Sequence, residues 1–417
     1  MIRAGWLFVA LLLLVTTAVQ GEIVVDTQFE NASAIVEAID QTSQTIRFTP
    51  GGDPRRGWPC WWSFKVRGLA PGREVTLSIA PNPGKLPSET GVGIGSEGKP
   101  LALSWSIPQH AFYSVDGGQH WLQTDAGSKD DTRFVWRKQI DTAEAWFAWG
   151  PVFSVSDGAA LVKRLDAESE WAEEFTLATS REGRRAPALR VHQSDSKRDP
   201  PRAIWIQARQ HAWESGASWV GRGFAEWLVS DDPLAESLRR KAEIYYVPVM
   251  DIDNVATGNG GKGQSPWDHN RDWSDKPEWP EVAAAQQQIL RLHRDGRFAV
   301  FVDLHNPGPG DKAPFYMTVP RAELSELGRR NLDRFITFSA GEITGPLKFS
   351  PTPHESGAAY SNRWREISKN WVQFHTGEGT VAVTLETAWN TPESTADNYR
   401  TVGRQLGLTI ERYLRAD

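Results

Sequence analysis

Apolar and polar residues alternate in short runs over the first third of the chain. Examples are Trp61–Val66, Glu74–Ile79 and Thr132–Trp136, which are separated by clusters rich in Gly, Pro, Asp and Asn. A period of two residues is typical of β-strands that bury one face. The stretch Ala34–Ile39 instead has a pattern that predicts a short helix. Residues 22–155 are therefore predicted to form an all-β sandwich.

The rest of the chain alternates apolar runs with stretches of helical periodicity. The predicted strands are Ala203–Gln207, Ile244–Met250, Phe298–Leu304 and Val381–Leu385, and the predicted helices are Trp219–Val229, Glu281–His293, Leu324–Ser339 and Ser394–Leu414. This order predicts an α/β domain over residues 156–417, whose mostly parallel or mixed sheet is flanked by helices. Ligands of such sheets bind at the carboxyl ends of the strands. The boundary between the two halves is expected near Ser154–Leu165.

The first 21 residues have the pattern of a secretory signal peptide. Arg3 precedes an apolar run, Trp6–Val19, and Gln20-Gly21 follows it. We expect cleavage after Gly21, with Ala18 as the alternative site. The run is shorter than the ~20 residues that span a bilayer, so we expect no stable membrane insertion after cleavage. The predicted location is outside the cytoplasm, in a periplasm or beyond the cell.

Composition narrows the classes of function. The chain has 46 Lys and Arg against 52 Asp and Glu, a net charge of −6, whereas nucleic-acid binders usually carry a basic face. We therefore expect no nucleic-acid partner. Cys60 is the single cysteine of the sequence, which excludes an internal disulfide framework. Most of the 20 tryptophans are expected in cores, although Trp-rich exported domains also stack on sugar rings.

Two histidines stand directly after predicted strands of the α/β half. His211 follows residues 203–210 and begins His211-Ala212-Trp213-Glu214, and His305 follows Phe298–Leu304. Carboxyl ends of parallel strands share one edge of a sheet, so His211, Glu214 and His305 are expected to meet there. Two His and one Glu with an open fourth position form the ligand set of a catalytic zinc. The alternative is that both are loop histidines bonded to backbone carbonyls.

Two further features fit a hydrolytic zinc site. Glu386 stands at the carboxyl end of Val381–Leu385, where it is either a general base or a strand-terminal surface carboxylate. Asn270 and Arg271 are adjacent in a polar stretch, and an arginine binds a carboxylate through two parallel hydrogen bonds. The alternative is that Asn270 and Arg271 bind no carboxylate and lie in a solvent-exposed polar turn.

These residues resemble the zinc carboxypeptidase family. The motifs His211-x-x-Glu214, Asn270-Arg271, His305 and Thr384-Leu385-Glu386 occur in the order found in that family. Residues 62–73 resemble the amino-terminal β-domain of its cytosolic-carboxypeptidase-like branch. The resemblance covers residues 55–410 and implies a zinc carboxypeptidase-like fold preceded by the β-sandwich.

The resemblance also implies roles for the site residues. His211, Glu214 and His305 would bind one Zn²⁺ per chain, and Glu386 would be the general base for a zinc-activated water.

Asn270 and Arg271 would bind the terminal carboxylate of a peptide with a free C-terminus. Together with the signal peptide, these roles imply an exported metallocarboxypeptidase that hydrolyses C-terminal residues from peptides.

One segment departs from the family pattern. The family usually has Asn-Pro-Asp-Gly and then an arginine that polarises the scissile carbonyl, whereas this chain has Asp251-Ile252-Asp253-Asn254. Gly261 takes the place of the arginine, and Lys262 follows it. Lys262 is therefore the candidate for the missing positive charge, although a lysine is a point charge and not a planar fork. If Lys262 does not have this role, the zinc alone would stabilise the oxyanion, or the activity would be weak.

The position of the substrate-capping tyrosine is less sharply defined. Tyr360 is the candidate catalytic residue, but Ala358 and Ser361 align about as well, and Tyr360 is otherwise a loop residue. Arg363 and Arg365 are close enough to favour acidic substrate side chains, and the preferred interpretation is that they lie on the exposed face of a short helix.

Two other functions use the same residues. The first is a zinc amidohydrolase that acts on peptidoglycan stem peptides or N-acylated amino acids. The second is a catalytically silent, Trp-lined protein that binds peptides or glycans. The missing arginine favours a binding protein, whereas the zinc ligands together with Glu386 argue against it.

Overall fold

The computed structural model describes residues 21–87, 98–193 and 201–416. The predicted signal peptide thus lies outside the described residues, except for Gly21. Among the residues described, no helix is both long and apolar enough to cross a membrane.

The first part of the chain is a β-sandwich. Its elements are β1 (Val24–Asp26), β2 (Ile35–Asp40), β3 (Thr45–Thr49), β4 (Ser63–Arg67), β5 (Arg73–Ile79), α1 (Leu103–Ser106), β6 (Phe112–Ser114), β7 (Leu122–Gln123), β8 (Ser128–Asp130), β9 (Arg133–Ile140) and β10 (Glu144–Ala148). Within the described residues they form two five-stranded sheets, β1-β4-β10-β6-β7 and β2-β3-β5-β9-β8. Trp62 fills the space between the sheets, with its ring 5.0 Å from Phe48 and 5.6 Å from Trp136.

The short helix expected over Ala34–Ile39 is wrong. These residues form strand β2, which pairs antiparallel with β3 and contains a register shift between Val36 and Ala38. Ile35, Val36 and Ile39 are β-branched, which favours an extended backbone. β2 is an edge strand whose side chains are largely exposed, so it lacks the alternation of burial that marks a strand in the sequence.

The second part is an α/β domain. Its elements are α2 (Val155–Glu168), β11 (Ala172–Thr179), β12 (Arg185–Val191), β13 (Arg202–Ala208), α3 (Ser215–Leu228), α4 (Pro233–Lys241), β14 (Ala242–Val247), α5 (Ile252–Thr257), α6 (Pro280–Arg294), β15 (Phe298–His305), β16 (Phe315–Thr318), α7 (Glu326–Glu342), β17 (His354–Glu355), α8 (Ser368–His375), β18 (Val381–Glu386) and α9 (Ala396–Arg415). As described, the strands form one eight-stranded sheet in the order β11-β12-β14-β13-β15-β18-β16-β17.

The centre of this sheet is parallel and its flanks are mixed. Strands β14, β13, β15 and β18 run parallel, whereas β12 and β16 join them antiparallel. Along β13, Ile204 and Ile206 face the side covered by α3 and α9, and Trp205 faces the side covered by α6 and α8. The predicted fold class, a mostly parallel or mixed sheet flanked by helices after a β-sandwich, is confirmed.

Three elements at the start of the α/β domain were not predicted: α2, β11 and β12. Strand β11 carries polar residues and is half-exposed, because it is the edge strand of the sheet. A polar edge strand gives only a weak hydrophobic pattern in the sequence.

Tryptophans form the contact between the two parts. The ring of Trp149 lies 4.4 Å from Trp389 and 5.2 Å from Trp213, and Trp58 stacks on Trp213 at 6.4 Å. The backbone joins them as well, because the Trp58 amide donates to the Lys262 carbonyl at 2.9 Å. The sandwich is thus packed directly against the loops at the carboxyl edge of the α/β sheet.

Candidate metal centre and substrate cleft

The three predicted metal ligands meet at the carboxyl edge of the central sheet. His211 and Glu214 lie in the turn between β13 and α3, and His305 is the last residue of β15. Strands β13 and β15 are parallel neighbours, with Ala208 beside Leu304, so their ends present these side chains to the same point. One donor atom from each ligand lies within 4.8 Å of the others.

The geometry fits a zinc ion. Glu214 lies between the two imidazoles, with Oε1 2.8 Å from His211 Nδ1 and Oε2 2.6 Å from His305 Nδ1. All three side chains are buried, and burial raises the pKa of Glu214, but the two imidazoles outweigh that effect and hold the pKa well below its usual value. Two Nδ1 atoms that converge on one ionised carboxylate form the His₂Glu donor set of a catalytic zinc.

Two buried aspartates lie on the Nε2 sides of the imidazoles. Asp303 Oδ2 lies 2.9 Å from His305 Nε2, and Asp268 Oδ1 lies 3.6 Å from His211 Nε2. The hydrogen bond to Asp303 holds the Nε2 side of the His305 ring, whereas Asp268 is an electrostatic neighbour of His211 beyond hydrogen-bond distance. The sequence analysis did not single out either aspartate, although each stands within three residues of a predicted site residue.

A buried arginine fixes the shape of the metal-binding turn. Arg209 has a positive φ of 62° and donates from Nη1 to the Phe153 carbonyl at 3.1 Å and from Nη2 to the Ala212 carbonyl at 2.5 Å. The guanidinium therefore ties the segment before α2 to the residue that follows His211. Sequence reasoning missed this role because it depends on a backbone conformation.

Glu386 lies beside the metal ligands. It ends β18 next to His305 in the parallel register, so the two side chains emerge at the same level of the sheet. Its Oε2 is buried and has no hydrogen-bond partner among the residues described. Burial raises the pKa of Glu386 to about 7, and the negative charge of Glu214 adds to the rise, while His305 opposes it. A carboxylate with a pKa near neutrality and a free oxygen is suited to accept and return a proton.

Asn270 and Arg271 are placed by a short 3-10 turn, His269–Arg271. The Asn270 side chain accepts from the Ser368 amide at 3.0 Å, which fixes it next to the metal ligands. Arg271 is buried, donates to the Asn270 carbonyl at 3.1 Å, and has an Nε without a partner in the described part of the chain. A buried guanidinium is costly unless an anion completes its surroundings.

The predicted substrate and catalytic residues line one narrow pocket. Its lining residues are His211, Lys262, Asn270, Arg271, Met317, Ser356, Tyr360, Ile367, Lys369, Thr384 and Glu386. Tyr360 stands at the surface, with its ring 5.6 Å from the Arg271 guanidinium carbon, whereas Ala358 and Ser361 do not line the pocket. The structure thus brings every predicted catalytic and carboxylate-binding residue to one place.

The structure explains why no arginine occupies position 261. Gly261 has a φ of +78°, and a Cβ there would lie 2.3 Å from Asp251 Oδ2 and 2.7 Å from the Ala212 amide nitrogen. No side chain fits beneath the metal-binding turn at this point. Lys262 is the next residue, it lines the pocket, and its Nζ lies 5.2 Å from the centre of the Trp58 ring.

Lys369 is a pocket residue that sequence reasoning missed. It lies in the first turn of α8, is 1% exposed, and donates to Ser356 Oγ and to Asn370 Oδ1. Burial, together with the charge of Arg271, lowers the pKa of Lys369 to about 7. The sequence carried no clear signal, because α8 is short and one lysine between polar residues normally lies on a surface.

Arg363 and Arg365 do not line the pocket. Arg363 donates to the Arg271 carbonyl at 3.0 Å and stacks on Trp267 at 3.9 Å, so it supports the turn from behind. Arg365 is exposed and pairs with Glu323 at 3.5 Å. Only Arg365 therefore matches the preferred interpretation of an exposed surface.

A wider cleft opens from the narrow pocket. It has a volume of about 540 Å³ and is lined by Trp58, Trp105, Trp213, Lys262, Asn306, Pro307, Gly308, Asp311, Phe315, Met317, His354, Glu355, Ala359, Tyr360 and Glu386. Trp58 and Trp105 come from the β-sandwich, so both parts of the chain build the cleft.

A family model matches part of the α/β domain. The family model described as "Zinc carboxypeptidase" matches residues 159–297, which include His211, Glu214, Asn270 and Arg271. The match spans 139 of the 417 residues (297 − 159 + 1) and confirms the resemblance to zinc carboxypeptidases seen in the sequence.

Curated relatives are cytosolic carboxypeptidases. Human cytosolic carboxypeptidase 4 is 38% identical over 103 residues, which are 24% of this chain and 9% of the relative. Mouse cytosolic carboxypeptidase 6 is 30% identical over 108 residues, which are 25% of this chain and 20% of the relative. The matches thus span only a small part of these longer proteins.

Solved structures share the fold over both parts of the chain. A metallo-carboxypeptidase from Burkholderia cenocepacia superposes with a TM-score of 0.78 at 19% identity and covers 95% of this chain and 100% of its own. A metallo-carboxypeptidase from Pseudomonas aeruginosa, in complex with (2-guanidinoethylmercapto)succinic acid, gives a TM-score of 0.72 at 24% identity and covers 94% and 100%. The β-sandwich followed by the α/β domain is therefore an architecture that these bacterial proteins have in common.

Proposed function

We propose that this chain is an exported, zinc-dependent metallocarboxypeptidase that removes C-terminal residues from peptides. The observation that carries the proposal is the buried guanidinium of Arg271, which shares one pocket with Glu386 and His211. A buried cation in the lining of a pocket selects a substrate that ends in a carboxylate. The family match of residues 159–297 supports the same class of reaction.

The metal would be held by His211, Glu214 and His305. Zinc, when bound there, supplies a Lewis acid that activates a water and polarises the scissile carbonyl. The ionised state of Glu214 and the aspartates behind the two imidazoles support this ligand set.

The protein side chains would orient the substrate and move the proton. Arg271 and Asn270 bind the terminal carboxylate, and Tyr360 closes over it from the surface. Glu386 takes a proton from the attacking water and returns it to the leaving amine. Lys262 places a positive charge where the carbonyl oxygen gains negative charge, in place of the arginine that position 261 cannot hold.

The narrow pocket favours an acidic terminal side chain. Lys369 and Arg271 both line it, and the carboxylate of Glu386 is the acidic group among its lining residues. Two cations leave one available for a substrate side chain after the terminal carboxylate is bound. We therefore propose that peptides ending in Glu or Asp are preferred.

The cleft favours peptides over N-acylated amino acids. A small acyl group would leave most of the cavity of about 540 Å³ unfilled, whereas several residues of a peptide fill it. A silent binding protein would gain nothing from an unpartnered carboxylate beside three metal ligands, since burying it lowers stability.

Export is a proposal that depends on residues 1–21 alone. The N-terminal sequence of protein recovered from outside the cytoplasm tests it: Glu22 or Val19 is expected as the first residue, and an intact Met1 would contradict it.

Peptide pairs that differ only at the C-terminus test the reaction. The zinc-loaded chain is expected to shorten a peptide with a free terminal Glu one residue at a time, as seen by mass spectrometry, and to leave the amidated peptide intact. Cleavage of both peptides, or cleavage at internal bonds, would contradict the proposal. The Arg271→Met variant is the matched control, which is expected to lose the discrimination against the amide.

A further inference from the structure

The wide cleft must hold the part of the substrate that precedes the scissile bond. It shares Lys262, Met317, Tyr360 and Glu386 with the narrow pocket, so the two cavities meet at the reacting groups. If the proposed function holds, the terminal carboxylate binds at Arg271 in the narrow pocket, and the rest of the peptide extends into the cleft. The walls of the cleft therefore contact the penultimate residue first.

Three indoles form one wall of this cleft. Trp58 and Trp105 pack edge to face, with ring centroids 4.8 Å apart, and Trp58 stacks on Trp213 at 6.4 Å with an interplanar angle of 18°. Trp58 and Trp213 are 2% and 1% exposed, whereas Trp105 keeps partial exposure. The wall is apolar and is fixed before a substrate arrives.

The wall stands next to the reacting bond. Trp213 lies between the metal ligands His211 and Glu214 in the sequence, and the ring of Trp58 lies 5.2 Å from Lys262 Nζ. The two backbone segments approach closely here, since a Cβ on Gly260 would lie 1.9 Å from the Trp58 carbonyl oxygen. A side chain one residue before the scissile bond therefore reaches Trp105, the partly exposed indole of the wall.

The remaining lining of the cleft disfavours acidic side chains. Phe315 and Met317 add apolar surface, and the His354 ring packs on Phe315 at 4.4 Å. Among the residues that line the cleft, the carboxylates of Asp311, Glu355 and Glu386 face a single lysine, Lys262. An acidic penultimate residue would thus be repelled, whereas an aromatic one would stack.

We propose that Trp105, backed by the buried rings of Trp58 and Trp213, forms a binding site for an aromatic side chain of the penultimate substrate residue. The β-sandwich then contributes directly to substrate selection, through Trp58 and Trp105. The preferred substrate ends in an aromatic residue followed by an acidic one, and runs of acidic residues are poor substrates.

Peptides that differ only in the penultimate residue test this site. With a constant terminal Glu, kcat/KM is expected to be about tenfold or more higher for penultimate Phe than for Ala, and lowest for Glu. Trp105→Ala is expected to bring the ratio of kcat/KM for penultimate Phe over penultimate Ala close to one. Trp105→Phe is expected to keep most of this Phe-to-Ala ratio. Leu103→Ala lies on the same short helix, does not line the cleft, and is expected to leave the ratio unchanged.

The outcomes separate this proposal from the proposed function. Trimming of all three peptides at equal rates, or a Phe-to-Ala ratio that survives Trp105→Ala, would overturn the aromatic site while the carboxypeptidase stands. If no peptide is trimmed, the proposed function fails. Binding of the same peptides to Glu386→Gln, followed by tryptophan fluorescence, then decides on the site: tighter binding of penultimate Phe supports it, and equal binding overturns it.

Discussion

The Nζ of Lys262 lies 5.2 Å from the centre of the Trp58 ring, so a residue of the β-sandwich contacts the cation beside the metal ligands. The Trp58 amide also donates to the Lys262 carbonyl at 2.9 Å. The sandwich thus holds the lysine from both its backbone and its side chain. This contact gives Lys262 a fixed position, which a stabilising charge needs in catalysis.

Replacing Lys262 with Met is expected to lower kcat by about 10²–10³, the effect of removing one stabilising group from an oxyanion site. Zinc content should stay unchanged, because Lys262 is not one of the three metal ligands, His211, Glu214 and His305. Steady-state kinetics with metal analysis of both proteins provides the check. Full activity of Lys262→Met would mean that zinc alone stabilises the oxyanion.

Glu386→Gln is expected to lower kcat by about 10²–10⁴, since the amide cannot accept the proton of the attacking water. The variant should keep its zinc and be at least as stable as the wild type, because a buried carboxylate oxygen without a hydrogen-bond partner is replaced by a neutral group. Peptide trimming and thermal denaturation measure the two effects. Retained activity would remove Glu386 from the role of general base.

The preference for an acidic terminal residue is expected to depend on pH through Lys369. A lysine is charged below its pKa, which burial lowers to about 7, so the charge is lost as pH rises through that value. The ratio of kcat/KM for terminal Glu over terminal Gln should therefore be about tenfold or more in weak acid and fall above pH 7. Titration of Glu386 cancels in this ratio, because both substrates need the same base.

The matched variant for this pH effect is Lys369→Met. It should give a ratio near one that does not change with pH. A preference that persists unchanged in the variant would show that Lys369 does not contact the terminal side chain.

Gly261→Ala is expected to destabilise the fold by about 3 kcal/mol or more and to reduce zinc content. The new Cβ would lie 2.3 Å from Asp251 Oδ2 and press on the metal-binding turn, in addition to the strain of a φ of +78°. Gly72→Ala is the control, because Gly72 has a φ of +79° and nothing within 4 Å of its Cβ position. Gly72→Ala should lower the free energy of unfolding, measured by chemical denaturation, by only about 1–2 kcal/mol. Equal losses in the two variants would show that the close contact has no effect.

The sequence allowed the central elements to be predicted because they are buried. Strand β15 is buried along its whole length and reads as a continuous apolar run, so its carboxyl end and His305 were located correctly. Two of the errors fall on edge strands: β2 was expected to be a helix, and β11 was missed, since neither buries a clean face. Strand β12, which is interior and largely buried, was missed as well.

The candidate site divides in the same way. His211, Glu214, His305 and Glu386 follow strands that the sequence marks clearly, and the structure brings them together. Lys369 was missed because its burial depends on the packing of α8 against the sheet, which no local pattern encodes. The aromatic wall was also beyond the sequence, since it joins Trp58 and Trp213 across 155 residues (213 − 58).

Zinc content of the purified chain, measured beside a His305→Ala variant, tests the account most directly. The account predicts about one zinc per chain in the wild type and little or none in the variant, with loss of peptide trimming in parallel. A wild-type chain that binds no zinc, even after the metal is added, would contradict the metal centre and the hydrolytic mechanism built on it.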